Sequence, residues 1–167
     1  MLEPQDLQDF TSSGAMHSVL VEVQHDHIVP GPTGLFTAMR HISLISELIN
    51  RFSGDAQHLS EQSVDDTVRA LTAACLPLAT AQVHYAYALD ALVSLQASKE
   101  GTAERIMPTA LDDLEIEQDL YRHLEQAVKA LDDARVALYR SHRDTPPSPR
   151  PTAAPVHAAR LSAHRKR

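Results

Sequence analysis

An all-α fold is predicted by three observations: two long apolar ladders at helical spacing, few glycines, and scarce aromatic residues. The 167 residues are 43% apolar, yet they include only five Gly, three Phe and four Tyr, with no Trp. A sheet protein of this size wants aromatic and β-branched runs broken by turns. The first ladder steps through Val64, Val68, Leu71, Cys75, Leu78, Gln82, Tyr85, Leu89, Leu92 and Gln96. The second steps through Met107, Ala110, Leu114, Glu117, Tyr121, Leu124, Val128, Leu131, Arg135 and Leu138. A repeat that averages about 3.5 residues keeps one seam of a helix turned toward a partner. The expected architecture is an antiparallel three-helix bundle built on a long coiled-coil-like hairpin, followed by a disordered, basic, Pro-rich C-terminal tail.

Taken in order, residues 1–16 are rich in Gln, Asp and Ser and show no periodic apolar face, so they are expected to be a disordered lead-in to a bundle domain over 17–142. Val19, Val21 and Val23 alternate, which suggests a short extended segment within 17–29. Pro30-Gly31-Pro32 ends it, because proline fixes its own dihedral and restricts the preceding residue.

The first helix is expected over about 34–53, with Thr33 as N-cap and Gly54 as the left-handed residue after its end. Its rungs Leu35, Ala38, Ile42, Ile45, Ile49 and Phe52 are all apolar, and Phe36, Met39 and Leu48 widen the stripe enough for two neighbours.

The second helix is expected over about 63–99, capped by Ser63, with Asp65 and Asp66 at the positive end of its dipole and Gly101 as the stop. Pro77 removes one hydrogen bond at a cost of roughly 3 kcal/mol. Each buried Leu around it contributes about 1.5 to 3 kcal/mol, so one kinked helix is expected and not two.

The third helix should begin after Pro108 and run to about residue 141. A short connection makes it the antiparallel neighbour of the second, so Tyr85 should face Tyr121 and Leu78 should face Val128. Leu71, Leu78, Tyr85, Leu92, Leu114, Tyr121, Leu124, Val128 and Leu131 form the expected interaction seam. Of the polar rungs, Glu117 and Arg135 read as seam-edge residues whose heads reach water, while Gln82 is open to a register-setting role.

Charge is uneven along the chain. Residues 1–139 carry 8 Lys plus Arg against 21 Asp plus Glu, whereas residues 140–167 carry 7 basic residues against Asp144 alone. Arg143, Arg150, Arg160, Arg165, Lys166 and Arg167 could contact a polyanion, with salt-dependent and sequence-blind affinity, or balance the acidic body. Five of the ten prolines fall between residues 146 and 155, a polyproline or linker composition. Arg outnumbers Lys twelve to three, in keeping with a GC-rich bacterial genome.

No residue set carries recognisable chemistry. His25-Asp26-His27, with His17 and His41 nearby, lacks the spacing of a metal site. A carboxylate-bridged metal pair would need Glu-x-x-His, but Leu120 follows Glu117 at that spacing, and His84 and His123 read as outward-facing. Nucleophile turns and phosphate-cradling glycine loops are missing, so neither catalysis nor a cofactor is implied. Cys75 reads as a small buried apolar group and cannot form an intrachain disulfide. Residues 70–81 are too short to span a bilayer and residues 1–10 do not resemble a secretory signal, so a cytoplasmic protein without membrane attachment is expected. The expected function is a non-enzymatic α-helical protein–protein interaction or scaffold module, self-associating as a homodimer. The alternative is a nucleic-acid-associated accessory or regulatory protein that uses its tail as an electrostatic tether.

Overall fold

A computed structural model of the chain describes residues 2–61, 65–100 and 109–144. All regular structure among them is helical: a short 3-10 helix Pro4–Asp9, then α1 (Ser12–His25), α2 (Pro32–Ser60), α3 (Asp66–Glu100) and α4 (Thr109–Asp144). Four α-helices replace the expected three.

The additional helix lies where a lead-in and an extended segment were expected. Thr11 caps α1 by accepting a hydrogen bond from the Gly14 amide at 3.2 Å. Ala15, Met16, Val19, Leu20 and Val23 are all buried, whereas Val21 is exposed. The stripe is therefore helical, and the apparent alternation of valines was a coincidence of a 3.6-residue period over a short window. Leu7, on the 3-10 turn, is fully buried as well. Arg51 of α2 donates to the carbonyls of Leu7 and Phe10, supplying partners for the open end of that turn.

The helix α2 opens at Gly31, whose φ of 146° is the one positive value among the described residues, with Pro32 preset for the first turn. It therefore starts before the expected Thr33 cap. A Cβ on Gly34 would lie 1.9 Å from the Val29 carbonyl oxygen, so the incoming loop crosses this turn too closely for any side chain. Gly54 does not end the helix. Buried Phe52 and Ala56, with Leu59 packed on the core, hold α2 in register through it to Ser60, and that burial outweighs a glycine penalty of about 1 kcal/mol.

Asp65 caps α3, accepting from the Thr67 and Val68 amides at 2.9 and 3.1 Å; the expected cap, Ser63, lies outside the described residues. The helix runs without interruption through Pro77, where the fully buried Ala74 and Leu78 on either side offset the lost hydrogen bond.

Consecutive helices run antiparallel. Glu22 meets Arg40 and Ser12 meets Asp55 across α1 and α2, the latter pair at 2.6 Å. Gln82 donates to Ser46 at 2.9 Å across α2 and α3, so the open polar rung ties two helices together. Contacts between α3 and α4 are the most extensive, those between α2 and α3 come next, and α1 touches both α2 and α4. The order around the bundle is thus α1, α2, α3, α4, with α1 closing the gap between α2 and α4 over part of their length. No helix among the described residues is long and apolar enough to cross a membrane. The expected disordered tail lies outside the described residues from 145 onward.

Candidate functional site

The expected seam divides in two. On α3, Leu71, Leu78, Tyr85 and Leu92 are buried. On α4, Leu131 is buried and Leu124 and Val128 pack partly on the core, but Leu114 and Tyr121 are about half exposed. The described residues that α4 actually buries are Leu120, Ala127, Ala130, Leu131, Ala134 and Leu138, with Ile116 packed against them. That face is rotated from the expected ladder, whose rungs instead look toward α1. Because α1 is about 21 Å long against about 54 Å for α4, Leu114 has no helix of the described residues opposite it. Glu117 and Arg135 lie on the same margin: Glu117 accepts from the Tyr121 hydroxyl at 3.5 Å, and Arg135 pairs with Asp132 at 2.6 Å.

Where α1 ends, a polar cluster is built into the apolar core. Arg40 is 7% exposed and His41 fully buried. Two carboxylates from the last turn of α1 and its C-cap compensate the guanidinium: Glu22 at 3.0 Å and Asp26, which also approaches His41 Nε2 at 3.4 Å. Neighbouring residues on one helix point to different sides, so Arg40 faces α1 while the His41 ring makes a T-shaped contact with Tyr85 on α3, with centroids 5.3 Å apart at 81°. Among the described residues, Arg40 Nε and His41 Nδ1 have no hydrogen-bond partner. Burial lowers the His41 pKa below its ordinary 6.5, more strongly than the Asp26 carboxylate raises it. Burial, with Asp26 adding, pushes the Tyr85 phenol above its usual range. The cluster clamps α1 onto α2 and holds neutral imidazole and phenol, not a charged acid–base pair.

A pH dependence follows. Below pH 6.5 an unfolded His41 takes up a proton that the folded, buried ring resists. The unfolded state then binds more protons, so stability falls as pH drops through that window, by at most about 1.4 kcal/mol per pH unit for one group. Urea midpoints at pH 7.5 and 5.5 should diverge in the native chain and diverge less in His41→Leu; an equal divergence would show that His41 does not carry the effect.

Beside the cluster lies a groove of about 420 Å³ between the end of α1 and α4. Val23, Ile28, Tyr85, Tyr121, Leu124 and Val128 give it an apolar floor and walls, and the carboxylates of Asp26 and Glu125 line its polar side. Tyr85 and Tyr121 thus meet at one groove as expected, but from inside and outside the bundle.

The outward reading of His84 and His123 needs correction. Their Nδ1 atoms lie 3.1 Å apart across α3 and α4, and Tyr87 stacks on His123 at 4.9 Å. Partial burial, then the neighbouring His84, lowers the His123 pKa. Among the described residues, no three His, Cys, Asp or Glu side chains converge as metal ligands. Asp26 is engaged by Arg40 and His41. Cys75 is half-buried and bonds to the Leu71 carbonyl at 3.3 Å. Of the basic residues expected to meet a polyanion, Arg143 falls in the last turn of α4. Arg150, Arg160, Arg165, Lys166 and Arg167 lie outside the described residues.

One surface was not singled out by its sequence. No Asp, Glu, Lys or Arg occurs between residues 70 and 89, yet this stretch of α3 is not buried all round. Leu76, Val83 and Tyr87 are 74%, 52% and 55% exposed on its outer side. On α2, Phe36 and Met39 are exposed as well. The missing charges are the signal that the sequence carries for it.

Comparison of the chain with protein-family models, with curated proteins and with solved structures finds no match.

Proposed function

We propose that the chain is a non-enzymatic helical interaction module that self-associates through the outer face of α3. The carrying observation is the uncharged, exposed stripe at Leu76, Val83 and Tyr87. Twenty residues of helix make a strip about 30 Å long and about 10 Å wide, the scale of the largest apolar patch on an ordinary monomer, a patch that is often functional. A second copy suits it better than an unrelated acidic partner. Residues 1–139 carry an excess of 13 acidic over basic side chains, 21 against 8, so most faces of two copies repel. The α3 face lacks those charges and can meet itself across a two-fold axis.

Sedimentation velocity at micromolar concentration tests this directly. The native chain should sediment as a dimer, and Leu76→Lys combined with Val83→Lys should convert it to monomer by placing like charges across the axis. Both positions are solvent-facing, so the helical content and thermal midpoint should hardly change. A native chain that stays monomeric overturns the reading.

A further inference from the structure

We propose that the groove where α1 ends is the docking site of the chain's own distal C-terminal segment, residues 156–167, bound in cis. This rests on the groove's chemistry and on chain length, and is independent of the α3 face.

Charge and shape select this occupant. The groove pairs an apolar lining at Tyr121, Leu124 and Val128 with the Glu125 carboxylate, while the Asp26 carboxylate that also lines it is already engaged by Arg40 and His41. Glu117 sits one turn before Tyr121 and bonds to its hydroxyl. From the start of α4 at Thr109 to Tyr121 there are five acidic residues and no basic one. Residues 145–167 are the converse, with five basic side chains, no acidic one, and Val156 and Leu161 as the only large apolar residues. Leu161 adjoins Arg160, with Arg165 four residues on, so one short stretch offers an apolar side chain between two cations. Each of these features matches one side of the groove.

Reach then decides which part of the segment binds. The helix α4 persists to Asp144, which places Val128 about 24 Å and Tyr121 about 35 Å back along its axis. Arg150 lies six residues beyond Asp144, so its backbone reaches at most about 21 Å and only when fully extended, short of Val128 and further short of Glu125, about 28 Å back along the axis. Arg160 lies sixteen residues beyond, within about 55 Å fully extended and at roughly 20 to 24 Å root-mean-square for a flexible coil. The distal cations are therefore delivered to the groove at little stretching cost, whereas the proximal one is not. Docked there, Arg160 and Arg165 face Glu125 and Glu117 while Leu161 covers Leu124 and Val128. The contact is electrostatic at its margin, so added salt weakens it and polyanions compete for the same cations.

The experiment uses the full chain with Cys75→Ser and Ser162→Cys, a nitroxide on the new thiol, and methyl spectra of valine and leucine. Expected is loss of signal at Val23, Leu124 and Val128, with Val83 on the outer α3 face unaffected. High salt, Glu125→Lys, and Arg160→Gln combined with Arg165→Gln should each restore the signals, and Arg150→Gln should not. Three results overturn the proposal: no loss at the groove, equal loss at Val83, or loss at the groove that persists when spin-labelled, isotope-free protein is mixed with unlabelled, isotope-enriched protein. The last would assign the groove to the tail of a second copy.

Discussion

Replacing Asp26 by alanine is expected to destabilise the fold by about 3 kcal/mol, the lower end of the cost of breaking a buried ion pair. Its carboxylate serves two groups that cannot find water, the guanidinium of Arg40 and Nε2 of His41. Glu22 stays at 3.0 Å from Arg40 and keeps part of the compensation, and Asp26 is itself 27% exposed, which places the effect at the lower end of that range. The variant leaves His41 without its carboxylate partner and frees the end of α1 from α2, so the groove loses one wall. Urea denaturation of Asp26→Ala, Arg40→Met and the double variant closes a cycle that isolates the pair. Since the apolar replacement of a whole buried pair is often tolerated, the double variant should recover stability relative to Asp26→Ala. A loss below about 1 kcal/mol for Asp26→Ala would mean that the pair behaves as a solvent-screened surface contact.

Leu120→Ala should cost about 2 to 5 kcal/mol and Leu114→Ala almost nothing, within about half a unit. The two leucines lie on one helix, six residues apart, and differ in what covers them. Leu120 is fully buried against α3, while Leu114 is 51% exposed where α1 no longer reaches. Similar losses at both positions would show that the seam follows the ladder that includes Leu114 and Tyr121. The contrast is also a test of rotation: the two leucines lie about 120° apart around α4, so a turn of the helix by about that angle exchanges one position for the other.

Why that rotation escaped sequence reading is visible in the residues. On α4 the sets Leu114, Tyr121, Val128 and Ile116, Leu120, Ala127, Ala134 both recur at helical spacing. Alanines count weakly in an apolar ladder although they permit the closest helix approach, so the stripe with the larger side chains was chosen. On α3 the charge-free run includes both inner and outer residues, and its periodicity carries no mark of which side meets water. His84 and His123 were placed at the same height, but the direction of each ring depends on the rotation of two helices at once. Asp26, Arg40 and His41 come from separate elements, and no local motif links them.

The sequence by itself determined that this chain is helical, where the central turns of α2, α3 and α4 lie, and that α3 and α4 pair antiparallel, since propensity and apolar spacing are local properties and a short connection leaves few arrangements. Tertiary structure alone decided which stripe of α4 faces inward, that residues 4–25 complete the bundle, and that a buried arginine and histidine meet two carboxylates beside a groove. The physical reason is that burial belongs to a pair of surfaces: spacing along one helix tells which side chains share a face, but only the neighbour's position tells whether that face is covered.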